Sequence, residues 1–100
     1  MIPTAIRKRL SDDPDMKRCL ICGVSPVEWH HTQSGMGRKQ IQEWWAIAPL
    51  CLLHHRYQPT KNIMKIARKW CLNRASDEEL LKYPKHNLIK ERELLNRNKR

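Results

Sequence analysis

Two short half-sites constrain this chain more than any other feature: Cys19-x2-Cys22 and Cys51-x2-His54, with 28 residues between them. Two residues between ligands let a tight turn aim both side chains at one ion, and thiolate and imidazole are the favoured donors of tetrahedral Zn²⁺. One such pair is a weak signal, but two with matching inner spacing read as a structural zinc held by Cys19, Cys22, Cys51 and His54. Other readings stay open. Cys19 and Cys22 could be small core thiols or a redox pair, the redox reading being the weaker because no strand-helix-strand pattern surrounds them. Cys71, the remaining cysteine, falls on an apolar helix face and reads as core. A staple suits the size of the chain, since 100 residues lie near the lower end of what a core can hold together alone. Only 6% are aromatic, with no Phe, so a metal would supplement a thin core.

The charge points outward. Twenty Lys and Arg against ten Asp and Glu give +10, which favours a polyanionic partner because each neutralised phosphate releases condensed counterions. A basic surface without any partner is the plainer alternative. No apolar run approaches the ~20 residues needed to cross a bilayer, and MIPTAIRKRL lacks the apolar stretch of a secretory signal. A cytoplasmic location is therefore expected, where cysteines serve as ligands or core thiols more often than as disulfides.

Along the chain, residues 1–18 read as a basic arm with an acidic turn, SDDPD, at 11–15. CLICG at 19–23 reads as a knuckle, VEWHHT at 27–32 as a strand, QSGMGRKQ at 33–40 as a loop, and WWAIAPL at 44–50 as a second strand. CLLHHRYQ begins a short helix ending near Pro59. From Asn62, the residues Ile63, Ile66, Ala67, Trp70 and Cys71 recur on one helical face. SDEE at 76–79 is a capping box, with Ser76 capping and Glu79 three positions on. Residues 86–100 form a last basic helix. The expected fold is α+β, with 19–60 as a zinc-bound core and 61–100 as a basic helical extension packed on it. Trp29, Trp44, Trp45 and Trp70 read as core packing rather than base-stacking platforms, and His86 as a surface residue.

Three histidines remain. His30 and His31 are adjacent in the first strand, and His55 follows a zinc ligand directly. Neutral imidazoles bind metal or take a proton near neutral pH. Consecutive strand residues point to opposite faces, so His30 and His31 can share a site only where the strand bends or ends. A structural cluster beside a second, open metal site is the arrangement this spacing invites. The alternative is a polar network around the zinc, with histidines as outer donors.

CLIC, EWHHT, GMGRK and APLCLLHHR, in that order over about residues 17–60, resemble the zinc-ribbon branch of the HNH, or ββα-metal, endonucleases. The similarity is greatest to small phage-encoded forms associated with DNA recombination. The resemblance implies a ββα-metal (HNH) core in which two strands and a helix clasp one catalytic divalent ion, Mg²⁺ or Mn²⁺, at the scissile phosphate. By position, His31 is similar to the general base that activates water, His30 to the metal ligand before it, and His55 to the ligand on the helix. Lys39 in the GMGRK loop looks like a family residue near phosphate, with Arg56 and the adjacent Arg38 as further candidates for DNA contact. Two positions depart from the pattern: Ala46 stands where the family often carries Asn, and Pro59 where many relatives carry a further His. Water, phosphate, Glu28, Glu43 or Asn62 would then complete the ion's shell.

Lys61, Lys65, Arg68 and Lys69, with Arg74, extend the basic surface through a stretch without an acid. Such contacts position a phosphate backbone without reading sequence. The expected activity is a metal-dependent DNA endonuclease of a phage or prophage, acting in the bacterial cytoplasm as a monomer or weak homodimer, with DNA and a recombination protein as partners. Ala46 and Pro59 favour the alternatives, a non-catalytic zinc-stabilised nucleic-acid binder or a recombination accessory factor.

Overall fold

In a computed structural model, which describes residues 2–32 and 41–97, the half-polar EWHH segment pairs with the apolar IAPL segment. Strand β1 (Glu28–His31) lies antiparallel to β2 (Ile47–Leu50), with Glu28 opposite Leu50, Trp29 opposite Pro49, His30 opposite Ala48 and His31 opposite Ile47. β2 is buried along its whole length, as a continuous apolar run requires. Pro49 has no N–H to give a ladder, and its carbonyl accepts a 2.9 Å bond from Leu20 N, docking the cysteine turn onto the sheet.

Around this two-stranded sheet, the helices are α1 (Thr4–Asp12), α2 (Lys61–Arg74), α3 (Asp77–Leu81) and α4 (Leu88–Arg97). The chain is a small mixed domain of helices and a two-stranded sheet, an α+β arrangement. No described helix is long and apolar enough to cross a membrane.

The structure departs from the sequence expectations in specific places. The segment read as a basic arm folds as α1 and a 3₁₀ turn, Pro14–Met16, because Leu10 and Met16 bury against Ile47 while Ile2 and Ile6 pack beside them. The second strand is shorter than 44–50, since Trp44–Ala46 form a 3₁₀ turn closed by Ala46 N donating to Glu43 O at 3.0 Å. That turn sends Trp45 into a cluster with Ile41, Leu72, Leu80 and Leu88, leaving Trp44 at its edge. The buried face of α2 is rotated from the expected stripe: Ala67, Cys71 and Leu72 are buried, whereas Ile66 is 42% exposed. His86, expected at the surface, is half-buried with its ring 6.0 Å from that of Tyr83.

Capping chemistry sets the helix starts. The Thr60 hydroxyl accepts from Ile63 N at 3.2 Å. The 76–79 capping box is present in full, Ser76 Oγ accepting from Glu79 N and Glu79 Oε1 accepting from Ser76 N. The same Glu79 carboxylate accepts from Trp44 Nε1 at 2.8 Å, tying α3 to the turn before β2. α4 begins after Asn87, whose positive φ of 51° suits a residue that tolerates the left-handed region.

Arg74, at the end of α2, binds the Asp13 carboxylate and stacks over Trp70 at 4.3 Å and Trp44 at 5.2 Å. Burial alone would raise the Asp13 carboxyl, but its bonds to Arg74 and to Asp15 N hold it below 3.8. Stability from this pair is therefore complete above pH 3.8 and lost as pH falls through the lower folded value. Arg74→Ala should lower the unfolding free energy by about 2–3 kcal/mol in urea, with Arg74→Lys recovering less than half because it loses the planar stacking. A variant within about 0.5 kcal/mol of wild type would rule out this anchoring role.

Candidate metal centre

The cysteine turn is shaped by its own backbone. Cys19 N donates to Val24 O at 2.8 Å and Gly23 N to Cys19 O at 2.9 Å, while Ile21 N reaches Cys19 Sγ at 3.4 Å. Gly23 closes the turn at φ +76°, a conformation strained for residues with a Cβ. The second half-site sits where β2 ends: Cys51 follows Leu50, and the π-helical turn Leu53–Tyr57 brings His54 back over it.

These segments bring Cys19, Cys22, Cys51 and His54 together, with ligand atoms all within 4.8 Å of one another. Cys22 Sγ lies 3.7 Å from Cys51 Sγ, and His54 Nδ1 lies 3.6 Å from Cys19 Sγ and 3.3 Å from Cys51 Sγ. A tetrahedron with Zn–S of ~2.3 Å and Zn–N of ~2.0–2.1 Å has S···S edges of ~3.8 Å and S···N edges of ~3.6 Å. The donor set thus could hold a metal such as zinc. Burial would raise the Cys19 thiol, but the backbone N–H groups of Cys51, Cys22 and Ile21, with His54, overcome it and bring it down to about 6. Cys19 is accordingly disposed to be a thiolate, the form that binds metal. Cys71 lies apart, fully buried among Ala48 and Ala67, where burial pushes its thiol up to about 12. It is an inert core thiol, as its place on α2 suggests.

One residue beyond the cluster, the same turn presents His55 to β1. Glu28 and His30, two residues apart, share a strand face. The His55 ring lies 5.2 Å from the His30 ring, inclined at 65°. His55 Nδ1 donates to Glu28 Oε1 at 2.7 Å, and Arg56 Nε donates to the same oxygen at 2.9 Å. The His55 bond, ahead of that to Arg56, holds the Glu28 carboxyl below its ordinary range. Burial, reinforced by the neighbouring histidines, holds the His30 imidazole below its ordinary value, which keeps it neutral with a lone pair at neutral pH.

His31, at the end of β1 and one residue out of phase, engages Gln42 instead, Nε2 to Oε1 at 3.0 Å. Glu43, a candidate further ligand by sequence, instead accepts a 2.6 Å bond from the Tyr83 hydroxyl. Ala46 is fully buried, its carbonyl accepting from Thr32 N at 3.0 Å and Thr32 Oγ1 at 3.1 Å. Among the described residues, the Cys₃His cluster is the one group of three or more His, Cys, Asp or Glu residues gathered at ligand spacing. Of the expected phosphate contacts, Lys61 and Lys65 are exposed on α2, Lys69 is partly exposed, and Arg68 pairs with Glu91 at 3.3 Å. Arg38 and Lys39 lie outside the described residues.

The sequence offers Glu28 only as a further ligand of the ion, whereas its carboxylate accepts from His55 and Arg56, and it offers no role for Gln42. Period-two spacing does place Glu28 on the His30 face, whereas nothing local marks Gln42 as the partner of a residue eleven positions earlier. In comparisons with protein families, characterised proteins and solved structures, nothing matches this chain.

Proposed function

We propose that the chain is a metal-dependent DNA endonuclease of the HNH (ββα-metal) type, serving phage or prophage DNA recombination or processing. One observation carries the reading: β1 and the helical turn that closes the metal cluster bring the His30 and His55 ring centroids within 5.2 Å of each other. The HNH-like order of residues adds to it, as does the +10 charge. His30 and His55 suit a divalent ion such as Mg²⁺ or Mn²⁺, whose remaining positions water and phosphate oxygens readily fill. When bound there, the ion supplies Lewis-acid polarisation of a phosphoryl oxygen.

The chain's own groups do the rest. His31, with Nε2 donating to Gln42, keeps Nδ1 as the base that accepts a proton from the attacking water. Arg56, Lys61, Lys65 and Lys69 hold the phosphodiester backbone, with Lys39 joining them by resemblance and Arg38 by its place beside it. Arg68 joins them to the extent that Glu91 releases it.

Supercoiled plasmid incubated with zinc-loaded protein and Mg²⁺ or Mn²⁺ tests the proposal. The expected products are nicked circles, with binding that weakens steeply as salt rises. A second reading is favoured by the absence of a third His, Cys, Asp or Glu gathered at ligand spacing with His30 and His55 among the described residues: a non-catalytic, zinc-stabilised nucleic-acid binder. Salt-dependent DNA binding without nicking in either ion would select it. Loss of both activities would leave the accessory-factor reading, in which the basic helices meet an acidic protein partner.

A further inference from the structure

Glu28 stands where the proposed site needs a fixed orientation rather than another ligand. Its Oε1 receives two donors, His55 Nδ1 at 2.7 Å and Arg56 Nε at 2.9 Å. The two bonds differ in setting. The Arg56 side chain is 64% exposed and the His55 side chain 25% exposed, so the imidazole bond is the better shielded from water. An imidazole that donates from Nδ1 has its lone pair on Nε2, and the carboxylate thereby selects which nitrogen can coordinate. A metal-binding histidine characteristically gives its other N–H to a carboxylate or carbonyl, which fixes its ring and strengthens it as a ligand. The His55 ring also meets His30 at 65° rather than stacking flat on it, with centroids 5.2 Å apart.

We propose that Glu28 is the positioning residue of the His30–His55 pair: through Oε1 it holds His55 in the Nδ1-protonated form, so that Nε2 is presented with its lone pair to a divalent cation. The inference rests on the nuclease reading for the cation's use, but not for its own test. Strand alternation puts Glu28 beside His30, the helical turn puts His55 over both, and the carboxylate sets the second imidazole against the first. Arg56 shares the oxygen and is thereby drawn toward the same side of the turn, where a phosphate could displace its exposed end from water without breaking the His55 bond.

The experiment uses full-length, zinc-loaded protein and two readouts. Long-range ¹H–¹⁵N correlation of the imidazoles, at a pH about 1.5 units above the usual histidine value, should show His55 protonated on Nδ1 alone in wild type. Glu28→Ala should move that proton to Nε2, while Glu28→Gln, whose amide oxygen still accepts, should keep it on Nδ1. Free Mn²⁺, followed by its paramagnetic resonance, should be bound about 10–100-fold more weakly by Glu28→Ala and less severely so by Glu28→Gln. A purely structural carboxylate would change thermal stability in both variants without moving the proton. His55 protonated on Nε2 or on both nitrogens in wild type would overturn the proposal, as would equal Mn²⁺ affinity in wild type and Glu28→Ala. If both readouts behave as expected but the wild type fails to nick plasmid, the nuclease reading falls and the role of Glu28 stands.

Discussion

Removing zinc with a strong chelator should abolish the cooperative thermal transition of this protein, and re-addition of zinc should restore it. The reason lies in what the cluster ties together. Its ligands come from the cysteine turn, the end of β2 and the turn Leu53–Tyr57, joined by Cys19, Leu50 and Cys51 packing with Leu20, Ile21, Val27, Ile63 and Met64. The remaining core is divided among clusters around Trp45, around Leu10 and around Ala67, and Leu20 packs against both the last of these and the cysteine-turn cluster. Structural zinc contributes about 10–16 kcal/mol of binding energy in small domains, as much as the whole net stability of about 5–15 kcal/mol expected of a domain. Cys51→Ala should therefore behave like the chelated wild type, and elemental analysis should find about one zinc per chain. Acid should act in the same sense. Cys19 is favoured as a thiolate, so the stability linked to it is complete above pH 9, its ordinary value, and lost as pH falls through about 6. A chelated, zinc-free protein that still melts sharply within a few degrees of the untreated one would end the structural-zinc assignment.

The second large effect concerns cleavage. His31→Ala should reduce plasmid nicking by about 10²–10⁴-fold, the range expected for a lost general base, while leaving the melting temperature within a few degrees. Folding should survive because the His31 side chain bonds Gln42, and both residues are only half-buried. Gln42→Ala should give a smaller loss, on the order of 10-fold, through freedom of the imidazole ring. His55→Ala should instead raise the Mn²⁺ concentration needed for nicking, since its proposed task is holding the ion. Equal nicking by wild type and His31→Ala would remove His31 from the chemistry, whatever the fate of His55.

Different parts of the molecule were legible in the sequence for different physical reasons. The Cys₃His set was readable because ligand spacing along a turn is a local property, fixed by the few residues between donors. The capping box at 76–79 was readable on the same ground. α1 carries Ile2, Ile6 and Leu10 at four-residue spacing, but the basic residues between them give the segment the charge of an exposed arm, and only packing against Met16 and Ile47 makes the apolar stripe a buried face. The exposed Ile66 and buried Leu72 show a different limit: an apolar stripe fixes a helix face only to within its own width, and the partner decides the rotation. Here Leu72 is claimed by the Trp45 cluster. The hydrogen bonds of His31 to Gln42 and of Trp44 to Glu79 join residues brought near only by the fold, so no local pattern could announce them.

Adjacent histidines on one short turn also tie the cysteine cluster and the contact with β1 into a single mutational unit. His54 faces the cysteines and His55 faces β1, and both directions are set by the same Leu53–Tyr57 backbone. A one-residue insertion or deletion between Cys51 and His54 would rotate both imidazoles together, removing one from the cysteines and the other from Glu28. The length of this loop is thus a constraint that both share, whereas the cysteine turn with Cys19 and Cys22 and the strand with Glu28 and His30 each serve only one of them.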